Sequence, residues 1–220
     1  MIVDKIEKLK KSLDCKHHTV KEYQDIIREF GLVNDESIKD LYGDERRYML
    51  KNRNDLGIYQ TPLQFANLLY WLQEKLRRIS EVTYLEIGVF RGGTFLFMKY
   101  FLEGLISFTK LNCIDPTDNL HESAKPEIEP HLIRGITSDA LKKHKYNIVF
   151  IDGDHSYEWV KWDYENVGQY TDICILHDIV EQSCQGVMKF WNEIKQTRKY
   201  VEFTKSEGRV IHHGIGVLYD

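Results

Sequence analysis

The stretch VFIDGDHSYE, residues 149–158, is an apolar run that ends in Asp152-Gly153-Asp154-His155. Two carboxylates and an imidazole directly after a buried strand can bind a metal, move a proton or form a plain polar turn. Other strand-like runs end the same way, in Glu86-Ile87-Gly88, in Asp115 and in His177-Asp178. Asp and Gly favour turns on their own account, so one such end carries little information. Acids at four of five inferred parallel strand ends point to a ligand-binding edge, because open α/β sheets bind ligands beyond the carboxyl ends of their strands.

The pattern around these residues supplies such a sheet. From residue 83 onward, short apolar runs alternate with helical stretches. Strands are expected at 83–88, 110–115, 131–135, 147–152 and 172–178, with KYVEFT and GIGVLYD as the last two. Helices are expected over GTFLFMKYFLEGL, DALKKH, SYEWVKWDYENVGQY and GVMKFWNEIKQT. Strands without polar alternation, separated by helices, predict an α/β fold: a doubly wound, mainly parallel, Rossmann-like sheet of seven strands. Pro126 and Pro130 mark a loop before the third strand.

The first 80 residues read as helical. Ile2, Ile6, Leu9 and Leu13 recur at helical spacing, and Tyr23, Ile26, Ile27 and Phe30 line a second helix over 20–29. Thr61 and Pro62 are a good cap and first residue for a third. A polar stretch, residues 34–55, separates the second helix from the third. The expected organisation is an N-terminal helical extension or cap over 1–57, followed by the main domain over 58–220. The N-terminal apolar stripe predicts either self-packing or a homo-oligomer contact.

In LEIGVFRGGTF, the glycines at 88, 92 and 93 surround a strand-to-helix turn, where glycine lets a ligand approach the backbone and the helix start offers free N–H groups. The dinucleotide fingerprint needs glycine where this chain has Glu86. An acid there repels a pyrophosphate and suits a cationic amine. Asp115 ends the next strand, where nucleotide-binding sheets carry the carboxylate that holds ribose hydroxyls. Together Glu86, Gly88, Gly92 and Asp115 describe a nucleoside with a positively charged, non-phosphate tail, which is the composition of S-adenosyl-L-methionine.

EIGVFRGG, CIDPTDN, VFIDGDHSYE and ILHDI together resemble the class I S-adenosylmethionine-dependent methyltransferases. Within them the chain is most similar to the bacterial branch of sugar and macrolide O-methyltransferases and cephalosporin hydroxylase-like proteins. The resemblance spans roughly residues 58–220. It implies that Glu86, Gly88 and Gly92 line the methionine end of the cofactor, that Asp115 holds the ribose, that Thr137 and Ser138 lie near the adenine, and that Asp152 sits beside the methyl group. It also implies a divalent metal, Mg or Mn, on Asp152 and Asp178. Relatives often carry a second ligand next in sequence. Here that place holds Ile179, so another ligand is needed from His155, Asp154 or His177. A mixed His/Asp set suits manganese, iron or zinc as well.

Methyl transfer to oxygen also requires removal of the acceptor's proton. Asp154 and His155, which can face the same cleft as Asp152, are the candidate bases, while His155 could instead cap the following helix. Gln60 is placed to reach the cofactor. His17-His18 and His212-His213 lie in polar segments and read as solvated, and Trp159, Trp162 and Trp191 read as core. Acceptor contacts are expected from the N-terminal helices and from residues 118–130.

The rest of the composition narrows the class. Of 220 residues, 42% are hydrophobic and 29% charged, with a net charge of −4, so no broad basic surface is implied and no nucleic acid is expected. MIVDKIEKLKKSLD lacks the apolar run of a signal peptide, and no window approaches the ~20 apolar residues of a membrane span. Of four cysteines, none is in a CxxC pair. Cys113 and Cys174 lie in apolar runs and read as buried free thiols of a cytoplasmic protein. The expected activity is methyl transfer to a hydroxyl of a sugar, glycan precursor or other small polar metabolite. The alternatives on the same sheet are a nicotinamide-dependent oxidoreductase and a non-catalytic nucleoside-binding protein.

Overall fold

The computed structural model describes residues 2–14, 17–31, 56, 58, 60–141, 145–206 and 212–220. The polar stretch 34–55, Cys15 and Tyr59 lie outside the described residues.

The seven strands are β1 (Glu81–Ile87), β2 (Phe108–Asp115), β3 (Leu132–Arg134), β4 (Ile148–Ile151), β5 (Ile173–His177), β6 (Lys199–Phe203) and β7 (Ile215–Tyr219). They form one sheet in the order β3-β2-β1-β4-β5-β7-β6. The first five are parallel, and β7 runs antiparallel to both β5 and β6. This is the mainly parallel seven-stranded sheet that the apolar runs predict. The order of connection reverses between β1 and β4, so the crevice beyond these two strand ends is the topological switch point. The register sets Ile87 beside Ile151, which places Gly88 next to Asp152.

Strand alternation builds a core on each face. Tyr84, Ile148, Phe150, Ile175 and Val217 face one side, where they pack with α3 (Pro62–Leu76) and α4 (Gly93–Leu105). Leu85, Val149, Ile151, Leu176 and Leu218 face the other, against α7 (Tyr157–Asn166) and α8 (Gln185–Ile194). The helix α4 is apolar on nearly every side, which suits an element enclosed between sheet and further helices.

Those further helices are α1 (Ile2–Leu13) and α2 (Val20–Gly31). Their stripes, Ile6, Leu9 and Leu13 with Tyr23, Ile27 and Phe30, are buried in the same core as α3 and α4. Tyr23 meets Phe101 edge-on at 5.8 Å and Phe30 meets Phe97 at 6.2 Å. The N-terminal stripe is therefore covered by its own chain.

Several local expectations are corrected. Residues 120–130 are not all loop: α5 (Lys125–Ile128) and a 3-10 turn (Glu129–His131) form there, each with proline in its first turn, where the missing N–H costs nothing. Thr61 precedes α3 but makes no capping bond, and its hydroxyl lies 3.4 Å from His212 Nε2. Trp159 and Trp162 are exposed at 45% and 42%, and only Trp191 is core. His212 and His213 are buried, not solvated. The helix expected at DALKKH starts earlier, as α6 (Thr137–Leu141). Cys113 and Cys174 are buried free thiols. No described helix is long and apolar enough to cross a membrane.

Candidate active site

Gly88 opens the site. Its φ of 87° is left-handed, and a Cβ there would stand 2.2 Å from the Asp152 carbonyl oxygen, so only glycine lets the β1 and β4 ends meet. Asp115, at the end of β2, organises the turn that follows. Its Oδ2 accepts from the Val89 and Phe90 amides at 2.9 and 3.0 Å, and its Oδ1 from the Thr117 amide and hydroxyl at 2.8 and 2.6 Å. The roughly four acceptor sites of a carboxylate are thus filled by the protein.

Two cavities open at the switch point. The first, about 480 Å³, is lined by Gly88, Ile114, Asp115, Ile136, Thr137 and Trp159, among others. The second, about 520 Å³, includes Arg91, His155, His177, Asp178, Glu181 and His213. Gly88, Phe90, Asp152 and Gly153 line both. Asp154 lines the first cavity and His155 the second. Glu86, Gly92 and Ser138 line neither. Glu86 is buried on the sheet face toward α4, accepts from the Tyr84 hydroxyl at 2.6 Å, and burial pushes its carboxyl pKa well above the usual range. Gly92, at φ 95°, precedes α4 and packs against Ile128. Ser138 lies within α6.

At the second cavity the acids meet three histidines. His177 Nδ1 is 3.0 Å from Asp152 Oδ1 and 3.4 Å from Asp178 Oδ1. His213 Nδ1 is 2.6 Å from Asp178 Oδ1, and its ring stacks on His177 at 5.0 Å. His155 Nε2 lies 3.1 Å from Asp178 Oδ2 and 3.8 Å from Asp152 Oδ1. The Asp152 and Asp178 carboxylates hold His155 up at about 10. Burial pulls His177 down, but the same two carboxylates outweigh it and leave His177 at about 10 as well. In return the histidines hold both carboxyls below the ordinary carboxylate range, against the effect of burial. Asp154 stands apart: its Oδ1 accepts from the Ser156 amide at 2.8 Å, which lowers its pKa and braces the start of α7.

The three described non-glycine residues with positive φ are Phe90, Asp178 and His213, and all line this second cavity. Such backbone strain collects where function requires a fixed arrangement.

Residues from the N-terminal half hold the cluster in place. Gln60 donates to Asp152 Oδ2 at 2.9 Å. Gln64 donates to the His212 carbonyl at 3.0 Å and accepts from the Gly214 amide at 3.0 Å, clamping the turn that carries His213.

Residues 85–179 match the family model described as a methyltransferase domain. The fold is similar to that of solved methyltransferases of class I. One is the O-methyltransferase from Bacillus cereus in complex with SAH, at 16% identity and a TM-score of 0.50, covering 70% of this chain and 81% of that one. Another is the citrinin polyketide synthase CMeT domain, at 14% identity and a TM-score of 0.56, covering 72% and 53%. No curated protein matches the chain.

Sequence reasoning misses the roles of His213, Cys184, Gln64 and Asp163. Asp163 lies in the wall of the first cavity, accepts a hydrogen bond from the Thr137 hydroxyl, and is raised by burial to about 6. A signal for His213 exists: His212-His213-Gly214 directly precedes the last strand, and an antiparallel last strand must begin at the edge where β5 ends.

Proposed function

We propose that this chain transfers the methyl group of S-adenosylmethionine to a hydroxyl of a sugar or other small polar metabolite, with a divalent cation at the end of β5. The observation that carries the reading is the pair of cavities that share a wall at Gly88, Phe90, Asp152 and Gly153. A two-substrate transfer needs donor and acceptor chambers that meet where the transferred group passes.

The donor's nucleoside fits the first cavity, between the apolar Ile114 and Ile136 and the exposed ring of Trp159. Thr137 and Asp163 offer polar contacts beside it. Asp115 shapes the glycine turn, and for it to hold ribose hydroxyls the Thr117 side chain must give up its bond. The sulfonium end lies toward the shared wall, with Asp152 as the nearby negative charge. The acceptor enters the second cavity, where Arg91, Glu181 and Ser183 form a lining of both signs suited to a polyhydroxylated molecule.

In the transfer, the acceptor oxygen attacks the methyl carbon while the carbon–sulfur bond breaks and S-adenosylhomocysteine leaves. Alignment of the two reactants supplies much of the rate. The hydroxyl proton passes to His155 Nε2 in its neutral form, the minor form while Asp152 and Asp178 hold it up at about 10; this nitrogen faces the acceptor cavity, whereas Asp154 is engaged with the start of α7. The donor set fits a cation: buried Asp and His atoms converge on Asp178, in a wall of the cavity. A cation held at Asp178 would supply positive charge that acidifies the hydroxyl and offsets the carboxylates facing His155.

The test is transfer of labelled methyl from S-adenosylmethionine to a panel of sugars, glycosides and other hydroxylated metabolites. Label should appear on a polyhydroxylated acceptor, fall on chelation, and drop about 100-fold or more in His155→Ala with donor affinity retained. Donor binding with no transfer to any hydroxyl, or full activity in His155→Ala, would refute the assignment.

A further inference from the structure

We infer that the cation centre is built from His177, Asp178 and His213, a two-imidazole, one-carboxylate set that selects zinc, cobalt, manganese or iron over magnesium. This rests on the proposed cation at Asp178 and changes which residues hold it. The expected set was Asp152 and Asp178 completed by His155, Asp154 or His177, with magnesium or manganese as the expected ion and iron or zinc for a mixed His/Asp set. The structure groups the donors differently.

One donor atom from each of His177, Asp178 and His213 lies within 4.8 Å of the others, and all three residues are buried. His213 Nδ1 is 2.6 Å from Asp178 Oδ1, while His177 Nδ1 is engaged with Asp152 Oδ1 at 3.0 Å and leaves Nε2 as its open nitrogen. Donors bound at about 2.0–2.2 Å around one ion sit roughly 3 Å from each other, and a cluster within 4.8 Å can draw in to that spacing. Asp152 acts on the set from outside, through its contact with His177.

One buried nitrogen points to a ligand, and the backbone geometry accords with it. His177 Nε2 is buried with no hydrogen-bond partner among the described residues. An imidazole kept in the core for packing or hydrogen bonding alone would have both nitrogens satisfied. In addition, Asp178 and His213 both hold left-handed backbone, at φ 63° and 55°. Two of three donors in a disfavoured conformation indicate that side-chain direction outweighs local backbone preference there.

The chemistry follows from the donors. Magnesium favours oxygen and keeps several waters, whereas two imidazoles favour the later first-row ions. His155 and Cys184 flank the other oxygen of Asp178, His155 Nε2 at 3.1 Å and Cys184 Sγ at 3.5 Å from Oδ2.

The test is metal binding by the full chain after stripping with chelator. Cobalt(II) is titrated by its d–d absorbance, and zinc, manganese and magnesium by competition, with S-adenosylhomocysteine affinity measured on the same samples. Cobalt and zinc should bind at least 100-fold more tightly than magnesium. His177→Ala and His213→Ala should each weaken them at least tenfold while S-adenosylhomocysteine affinity holds. X-ray absorption on the zinc-loaded wild-type protein should show two imidazole shells, which decides the matter if either variant fails to fold. Magnesium binding as tightly as zinc, an oxygen-only shell, or wild-type metal affinity in both folded variants would overturn the inference. No cation binding alongside intact S-adenosylhomocysteine binding would overturn it while leaving the methyl-donor assignment in place.

Discussion

Asp163 shows what one buried side chain costs this fold. It is 5% exposed, and burial raises its pKa from 3.8 to about 6. The folded state therefore holds its proton more tightly than the unfolded chain does. The stability that this proton contributes is complete below the unfolded pKa of 3.8 and is lost as pH rises through about 6. At pH 7 the loss is about 3 kcal/mol, because a tenfold change in proton affinity is worth about 1.4 kcal/mol. Asp163→Asn keeps an acceptor for the Thr137 hydroxyl and removes the charge. It should raise unfolding free energy by about 2–3 kcal/mol at pH 7 and by little at pH 4, measured by urea denaturation at both. Equal gains at the two pH values would refute the electrostatic account. A charge retained at such a cost in a cavity wall is consistent with a binding role for Asp163.

At the scale of elements, the strands carry the site and the helices keep it dry and fixed. The strand ends Gly88, Asp115, Asp152 and Asp178 were legible because buried parallel strands lack polar alternation and stop at turn residues. The His212-His213 pair was not, since its neighbours are polar and only the pairing of β7 against β5 buries it. Trp159 and Trp162 were misread for the opposite reason: large apolar rings on a helix resemble a core face, yet both are exposed and Trp159 lines the first cavity. The roles of Gln60 and Gln64 depend on contacts with residues 92 to 150 positions away, which no local pattern records. The helices α1 and α2 pack on α3 and α4, away from both cavities. Leu9, 2% exposed in that interface, should therefore act on stability alone. Leu9→Ala should cost about 2–4 kcal/mol of unfolding free energy with unchanged methyl-donor affinity. A tenfold loss of donor affinity at a temperature where the variant is folded would show that the N-terminal helices reach the site.

For the whole molecule, the strand order, the reversal between β1 and β4, and the two cavities at that reversal form one argument. The sheet edge where the cavities open was legible from Gly88 and Asp115, although Asp115 and Glu86 both work inside the protein. Glu86 is sealed against Tyr84, and Asp115 fastens the turn. What stayed unread was His213 beside Asp178, because that contact joins the end of β5 to the start of β7. The measurement that bears most directly on the central claim is calorimetric titration of the intact chain with S-adenosylmethionine, S-adenosylhomocysteine and NADH. Micromolar binding of both sulfur compounds, with none for NADH, is the predicted result. NADH binding in the absence of either sulfur compound would contradict it.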